Sequence, residues 1–395
     1  MRELKDPMHR LTLPARPNWQ AVAEANGFLF HHVDGEVYWD ETACWQFTLR
    51  EVEEEIEDPT TELYAMCLAL VDDTCASQEL MKRLAIPETM WDVIAASWRD
   101  GDMSLYGRFD FAYDGTGPAK LLEFNADTPT SIYETAFFQW GWLEDMIAAG
   151  QLPKEADQFN RLHEALIERF GQLLTKGSLL HFSAAADHVE DRATVAYLED
   201  LAGQAGLETR FVDIGNIGID DRGQFIDDQG YEIGALFKLY PWEDMMREEF
   251  AQDLSQSKTV LVEPAWKAIL SNKAMLPLLW ERNRGHRNLL PSFVAGTEAA
   301  QELRGEPHVT KPFFSREGAD IQLFDGAKRF LGPEQGYGEE GAIIQAYAPI
   351  ARDGNNHAVI GSWVVGDDAV AMSVREDASP ITRDLARYVP SIILD

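Results

Sequence analysis

Two short stretches of the sequence place charged and oxygen-bearing side chains at alternate positions. The first is GRFDF, which contains Arg108 and Asp110, and the second is LLEFNADTPTS, which contains Glu123 and Asn125. Alternate residues of a β-strand point to one face, so each stretch presents its pair on a single face. If the two strands pair through the intervening DGTG turn, three oxygen ligands converge, from Asp110, Glu123 and Asn125.

Three oxygen ligands with an arginine beside them are typical of a site for magnesium and phosphate. Magnesium prefers a few hard oxygen ligands and takes waters or phosphate oxygens for its remaining positions. The forked guanidinium of Arg108 is suited to hold a phosphate. The alternative is a polar sheet face that carries an Arg108–Asp110 ion pair, and the spacing alone does not decide between the two.

Two lysines further along the chain are candidates for phosphate binding, because a lysine is a good point-charge partner for phosphate. Lys273 lies in SNKAML, and Lys311 lies in VTKPFFSREGADI, where a glycine-containing loop follows. Such a loop can close over phosphates with its backbone N–H groups. Taken alone, each lysine is better explained as a surface residue. Together with a metal-ligand set they favour a nucleotide site, although the sequence contains neither GxxxxGK[ST] nor GxGxxG after a strand.

The C-terminal part of the sequence adds two weaker candidates. IIQAYAP contains Gln345, Ala346 and Tyr347 in a strand whose backbone an adenine base can read, although any buried strand has the same pattern. Arg375 in SVREDASPIT is suited either to bind phosphate near a strand end or to form surface ion pairs.

Composition restricts the class of protein. The chain has 395 residues and a net charge of −33, which argues against a nucleic-acid partner. The acidic balance is compatible with a cationic substrate such as a polyamine, but it is also common for solubility.

No apolar run of membrane-spanning length is present, so no membrane association is predicted. The three cysteines form no CxxC pair, and a reduced, cytoplasmic setting is the simplest interpretation.

Hydrophobic periodicity predicts a mixed α/β fold with α+β portions. Helical spacing runs through ELYAMCLALVDDTC and through Pro87–Arg99, and a strand pair follows around DGTG. The middle third alternates strand, helix and strand, which is typical of a doubly wound α/β unit.

The adjacent His31 and His32 should point to opposite faces of a strand, and no HExxH spacing exists, so no zinc site is predicted.

The quoted motifs resemble, in this order, those of the glutathionylspermidine synthase family: GRFDF, LLEFNADTPTSIYET, SNKAMLPLLW, VTKPFFSREGADI and SVREDASPIT. The resemblance is closer to the synthetase-only bacterial branch. It implies an ATP-grasp fold with an additional pre-ATP-grasp-like α/β domain. On this basis the chain divides into an N-terminal helical or mixed segment (1–95), strands that carry the metal ligands (96–150), a pre-ATP-grasp-like substrate domain (151–257) and a nucleotide-binding region with a lid loop (258–395).

The family implied by the resemblance uses ATP and Mg²⁺ to phosphorylate a peptide's C-terminal carboxylate, which an amine then attacks to form an amide. A peptide or small carboxylate and a polyamine-like amine such as spermidine are therefore the expected substrates. By motif position the resemblance assigns Mg²⁺ to Asp110, Glu123 and Asn125, catalytic contacts with the transferred phosphoryl group and the acyl phosphate to Arg108 and Arg375, ATP to Lys273 and Lys311, the phosphate-covering loop to Glu317 and Gly318, and the adenine pocket to Gln345, Ala346 and Tyr347.

Substrate contacts are assigned to Thr128, Thr130, Glu190 and Asp191, although an acidic pair at a helix N-terminus is also favoured by the helix dipole. Thr128 and Thr130 stand where the family places serines, and Leu239 stands where it places a hydroxyl residue. These departures favour a ligase acting on another peptide or a protein tail, and a non-catalytic ATP-binding regulatory protein is a further alternative. No amidase activity is expected, and a homodimer is compatible with the sequence. Asp110→Ala and Asn125→Ala are both expected to abolish ATP turnover without unfolding the protein.

Overall fold

The computed structural model describes residues 7–33, 35–384 and 386–395. The strands are β1 (His9–Thr12), β2 (His32–Val33), β3 (Glu36–Val37), β4 (Ala43–Phe47), β5 (Tyr106–Ala112), β6 (Lys120–Asn125), β7 (Leu179–Ala184), β8 (Glu208–Asp213), β9 (Gly218–Ile219), β10 (Phe225–Ile226), β11 (Ala235–Lys238), β12 (Val260–Val262), β13 (Ser292–Val294), β14 (His308–Pro312), β15 (Gln322–Phe324), β16 (Arg329–Leu331), β17 (Ala342–Ala346), β18 (Ala351–Asp353), β19 (Asn356–Val365), β20 (Asp368–Asp377), β21 (Arg387–Val389) and β22 (Ser391–Ile393).

The α-helices are α1 (Trp19–Ala25), α2 (Leu49–Glu51), α3 (Asp58–Cys75), α4 (Gln78–Arg83), α5 (Trp91–Arg99), α6 (Gln139–Ala148), α7 (Leu162–Leu173), α8 (Val189–Gln204), α9 (Trp242–Met245) and α10 (Met275–Arg282). Two π-helical segments precede α3 and α6, at Val52–Glu57 and Glu134–Phe138. Short 3₁₀ turns lie at Glu88–Met90, Ile214–Asn216, Glu249–Asp253, Ala265–Ile269 and Ala299–Leu303.

An antiparallel sheet with the order β21-β20-β19-β5-β6 carries the first candidate residues. Strands β5 and β6 pair as predicted, with Arg108 opposite Asn125 and Asp110 opposite Glu123. On the other side of β5, Gly361 of β19 stands opposite Asp110. A Cβ at this glycine would lie 2.8 Å from Cδ of Arg108. Only glycine therefore leaves room for the arginine side chain to cross the sheet surface.

A parallel sheet, in the order β12-β11-β7-β8, confirms the predicted strand–helix–strand alternation. Strand β7 leads through α8 into β8, and its register pairs Leu179 with Glu208. The carboxyl ends of β7 and β11 lead directly into α8 and into the segment that begins at Leu239. In α/β sheets ligands bind outside the carboxyl ends of the strands, so this edge is positioned for substrate.

A third sheet, antiparallel and in the order β13-β17-β14-β15-β16, carries Lys311 on β14 and Gln345 on β17. The loop between β14 and β15 contains the predicted phosphate-covering residues.

A smaller sheet, β1-β4-β22, joins strands from the two ends of the described chain. Strands from the predicted segments 96–150 and 258–395 lie in one sheet, since β5 pairs with β19.

The prediction for the histidine pair was wrong. Nδ1 of His31 lies 2.7 Å from Nδ1 of His32, and both rings pack against Trp19. Strand β2 begins only at His32, so His31 lies outside the strand and the alternation of side chains does not apply to it.

The cysteines are free, and burial raises the pKa of Cys67 to about 12, as expected for a core residue.

Candidate active site

A cavity of about 490 Å³ opens where the antiparallel sheet that contains β5 and β6, the parallel sheet and the third sheet approach one another. All the candidate site residues of the sequence analysis line the cavity, with the exception of Gln345. Its walls come from β5 and β6, β14, β17 and β20, the start of α8, and the segment after β11. Residues more than 260 positions apart in the sequence thus meet at one place, as the candidate site required.

Asp110 is the centre of a buried charge cluster. Its carboxylate accepts hydrogen bonds from Nε of Arg108 at 2.7 Å and from Nη2 of Arg375 at 2.6 Å. Nδ2 of Asn125 donates to it at 3.0 Å. Burial opposes the charged form of Asp110, but the two arginines outweigh burial and hold its pKa below the usual value. The carboxylate is therefore ionised at neutral pH.

Arg375 retains an unused donor in this cluster. Its Nε atom is buried and has no hydrogen-bond partner within the described residues. A buried guanidinium N–H without a partner is costly. The free donor indicates that the cavity receives an acceptor at this position when it is filled.

Glu123 and the two lysines form a second charge cluster beside the first. Nζ of Lys273 lies 3.2 Å from Oε2 of Glu123 and donates to the Ser315 carbonyl at 2.6 Å. Burial disfavours the charged form of Glu123, but Lys273 and Lys311 hold its pKa below the usual value. The lysines are only 9% and 5% exposed, so the explanation of both as surface residues was wrong.

Gln345 lies beneath the cavity wall instead of on it. Its Oε1 accepts a hydrogen bond from Nζ of Lys311 at 2.9 Å, and its Nε2 donates to the Leu121 carbonyl at 3.3 Å. Ala346 and Tyr347, the next two residues, do line the cavity. The side chain of Gln345 therefore fixes the ammonium group of Lys311, whereas its neighbours on β17 face the open space.

The donor set fits magnesium held partly by phosphate. No group of three or more His, Cys, Asp or Glu side chains among residues 7–33, 35–384 and 386–395 is arranged to hold a metal. Asp110 and Glu123, both ionised, and the amide oxygen of Asn125 give three oxygen donors on adjacent strands. Magnesium is usually bound by one or two carboxylates together with phosphate oxygens and water, so this set is chemically appropriate.

Sequence reasoning missed an arginine in the covering loop. Nη1 of Arg316 donates to Oγ1 of Thr128 at 2.8 Å, and Nη2 donates to Oε1 of Glu243 at 2.8 Å. The next two residues, Glu317 and Gly318, both have positive φ. A Cβ on Gly318 would lie 2.7 Å from the Thr382 carbonyl. The loop thus lies across the cavity, and Arg316 links it to the predicted substrate segment.

The acidic pair at the start of α8 faces the same cavity. Burial raises the pKa of Glu190, and a hydrogen bond with Thr130 partly offsets this effect. Burial also raises the pKa of Asp191, which lies 3.4 Å from Nδ1 of His188. Both residues are half-buried and line the cavity, and this position favours a role in binding beside any interaction with the helix dipole.

A buried ion pair anchors the substrate segment from behind. Nζ of Lys238 donates to Oδ1 of Asp127 at 2.9 Å, and the backbone N–H of Trp242 donates to Oδ2 at 2.7 Å. Neither charged side chain is exposed. No sequence pattern pointed to this pair, because its members are 111 residues apart.

The fold is that of the ATP-grasp proteins. A glutathione synthetase-like effector from Globodera pallida has the same fold, with a TM-score of 0.56 at 11% identity over 97% of this chain and all of that one. The predicted mixed α/β fold of the ATP-grasp type is thereby confirmed.

The chain belongs to the glutathionylspermidine synthase preATP-grasp family, which matches residues 10–394. It is 36% identical to a putative acid–amine ligase from Haemophilus influenzae, covering 97% of this chain and 99% of that protein. It is 27% identical to trypanothione synthetase from Crithidia fasciculata and 26% identical to the bifunctional glutathionylspermidine synthetase/amidase from Escherichia coli. The chain spans only 52% and 59% of those two longer proteins. The suspected family is therefore confirmed, and the chain is an enzyme of the acid–amine ligase family.

The described helices include none that combines the length and the apolar character needed to cross a membrane.

Proposed function

We propose that the protein is an ATP-dependent carboxylate–amine ligase that joins a peptide C-terminal carboxylate to a polyamine-like amine through an acyl phosphate. The names of the relatives support the class of reaction: acid–amine ligase, trypanothione synthetase and glutathionylspermidine synthetase. The observation that carries the proposal is the convergence of four cations, three of them buried, on two ionised carboxylates in one cavity. Such a set is suited to a phosphoryl group in transfer.

In the first step a carboxylate oxygen of the peptide attacks the γ-phosphorus of ATP, and the bond to the β-phosphate oxygen breaks. Negative charge then lies on the transferred group between two anions. Arg108 and Arg375 are held in place by Asp110, so they can stabilise this charge without rearrangement. When bound, Mg²⁺ neutralises phosphate charge, and Asp110, Glu123 and Asn125 would hold it.

In the second step the amine nitrogen bonds to the acyl carbon, and inorganic phosphate leaves. A polyamine is cationic at neutral pH, and the acidic residues Glu190 and Asp191 lie on the cavity wall near Thr130. The negative charge of Glu190 and Asp191 therefore orients the cationic amine substrate. Arg316, through Thr128, closes the other side over the reacting groups, which limits attack by water on the acyl phosphate.

ATP is assigned to the side of the cavity formed by the third sheet. Lys273 and Lys311 are within reach of a common phosphate chain, since both act on Glu123. Ala346 and Tyr347 would receive the adenine, and Gln345 holds Lys311 in position from beneath. Glu317 and Gly318 cover the phosphates, where the positive φ of both residues turns the backbone of the loop.

A ligase for a different peptide or a protein tail is the second candidate. Leu239 lines the cavity at the end of β11 and is 5% exposed. An apolar side chain at this position cannot donate a hydrogen bond to a substrate carboxylate. The peptide recognised here is therefore expected to carry an apolar group where this wall meets it.

The substrate proposal is tested by ADP release from ATP and Mg²⁺ with mixtures of short peptides and polyamines. We expect release only when both an acid and an amine are present, because each step needs its own substrate in the closed site. Mass spectrometry should then find a condensed product that lacks one water relative to its two precursors. ATP binding without any substrate-stimulated ADP release would favour a regulatory ATP-binding protein and contradict the ligase.

A pH dependence of ATP affinity is also expected. Burial lowers the pKa of Lys311 to about 8, despite the favourable charge of Glu123. Lys311 is charged below this value and neutral above it, so the affinity for ATP should fall as pH rises through about 8. Calorimetric titration with ATP across this range measures the effect. In Lys311→Arg the charge persists, and the decline should disappear; an unchanged decline would show that another group titrates.

A further inference from the structure

A tyrosine from the N-terminal part of the chain reaches the amine side of the cavity. Tyr38 directly follows β3, is 7% exposed and lines the cavity. Its hydroxyl donates to Oε1 of Glu134 at 2.6 Å and lies 3.1 Å from Oγ of Ser131, another cavity residue. Glu134 does not line the cavity. The tyrosine hydroxyl is therefore the connection between the cavity and a carboxyl group behind its wall.

The backbone around this connection is unusual. Glu134 is the first residue of the π-helical turn that precedes α6, and Ser131 has φ of 70°. A positive φ in a residue other than glycine costs free energy and is found mostly at functional sites. Short π-helical segments are likewise frequent at such sites. Both features turn the side chains of Ser131 and Glu134 toward the same hydroxyl.

Among residues 7–33, 35–384 and 386–395, no cationic side chain bonds to Glu134. Its side chain is 1% exposed, and its carboxyl has a phenol as its hydrogen-bond donor. Burial and the nearby Glu190 raise its pKa to about 8. The titratable and charged groups that act on it are Tyr38, Glu190, Arg108, Tyr133 and Tyr388. Among these the hydrogen bond from Tyr38 and the charge of Arg108 favour the ionised form but do not outweigh burial and Glu190. Glu134 is therefore suited to exchange a proton near neutral pH.

The pair of Tyr38 and Glu134 lies next to Arg108, the arginine assigned to the transferred phosphoryl group. Nη1 of Arg108 donates to the Thr130 carbonyl at 2.9 Å, and Ser131 is the following residue. Glu190 reaches the same segment through Thr130. An amine held by Glu190 and directed at an acyl phosphate beside Arg108 would thus pass the hydroxyl of Tyr38.

We propose that Tyr38 and Glu134 form a proton relay that deprotonates the incoming amine, with Ser131 orienting the tyrosine hydroxyl. This inference rests on the proposed ligase function. The ammonium of the substrate loses one proton to the oxygen of Tyr38 while Tyr38 gives its own proton to the Glu134 carboxylate. The neutral amine then forms the C–N bond, phosphate leaves, and Glu134 returns its proton to solvent through Tyr38. Tyr38 is the catalytic residue, and Glu134 is a positioning residue that acts through it.

The test compares two nucleophiles in Glu134→Gln and Tyr38→Phe. A polyamine is protonated at neutral pH and needs the relay, whereas hydroxylamine is already neutral and does not. We expect both variants to lose amide formation with the polyamine by about 100-fold or more. Hydroxamate formation from the same peptide and ATP should stay within about threefold of wild type. With saturating ATP, the wild-type rate for the polyamine should rise through about pH 8, and Glu134→Gln should lose this rise.

Phe137, which is exposed on the same helical segment, provides a matched control, and Phe137→Leu should leave both reactions unchanged. Equal losses with the polyamine and hydroxylamine would show that Tyr38 and Glu134 serve only the structure, and would overturn the relay. Full polyamine activity in both variants would overturn it as well. If the wild-type protein forms neither amide nor hydroxamate, the ligase proposal itself fails.

Discussion

Replacing Arg375 by lysine is expected to lower kcat/KM for amide formation by about 10²- to 10³-fold. Nη2 of Arg375 bonds Asp110, while its buried Nε has no partner within the described ranges. An arginine can fill both positions with one planar group, whereas a lysine is a single point charge on a flexible chain. The lysine variant can therefore pair with Asp110 but cannot also donate to the acyl phosphate.

Steady-state kinetics with saturating ATP will measure the loss. Arg10→Lys is the matched control, because Arg10 forms a comparable two-bonded pair with Glu376, the residue that follows Arg375. Glu376 does not line the cavity, so this control should lose some stability and keep its specific activity. If Arg375→Lys retained wild-type kcat/KM, the acyl phosphate would have to lie elsewhere.

Asp110→Ala and Asn125→Ala are expected to stop ATP turnover alike but to differ in stability. Each removes an oxygen donor of the magnesium site, and a loss of at least about 100-fold in ADP release is expected for both. The alanine at 110 also leaves the side chains of Arg108 and Arg375 buried without their anion. Removing one member of a buried ion pair costs about 3–5 kcal/mol, whereas the single amide hydrogen bond of Asn125 contributes about 1 kcal/mol.

The sequence-based expectation that both variants keep their fold therefore changes for Asp110. Urea denaturation followed by far-UV circular dichroism separates the two effects, since midpoint and activity are measured on the same samples. Asp227→Ala is the stability control, because Asp227 is a buried partner of Arg210 and does not line the cavity. The Asp227→Ala variant should have a lower urea midpoint than wild type but release ADP at the wild-type rate at low urea concentration. Normal ADP release in Asn125→Ala would contradict the metal assignment.

Local patterns predicted most of what lies within one or two adjacent elements. The β5–β6 pairing and the alternation through β7, α8 and β8 follow from alternation, periodicity and turn residues, which act over short distances. The way in which the larger sheets, each of three or more strands, share one chain did not follow from these patterns. No local signal shows that β5 pairs with a strand 250 residues later, because this contact depends on packing across the whole molecule.

The same distinction holds for the candidate site. Asp110, Glu123 and Asn125 were found because their spacing on two neighbouring strands is visible in the sequence. Lys238 was missed because its partner Asp127 lies 111 residues away. Glu134 was missed although it stands inside a quoted motif, because its partner Tyr38 lies 96 residues away. Arg316 was missed although it stands inside a quoted motif, since a charged loop residue has no periodic neighbour that marks its direction.

The position of β5 between β6 and β19 has a consequence for how the protein is made. Asp110 and Arg375 are 265 residues apart, and ribosomes add about 5–20 residues per second. The β5–β6 hairpin therefore waits on the order of ten to fifty seconds for its second neighbour. During that time β5 is an open edge strand that carries three aromatic residues, Tyr106, Phe109 and Phe111, and such edges invite pairing with other chains. The growing chain should thus depend on a chaperone to shield this edge until β19 emerges.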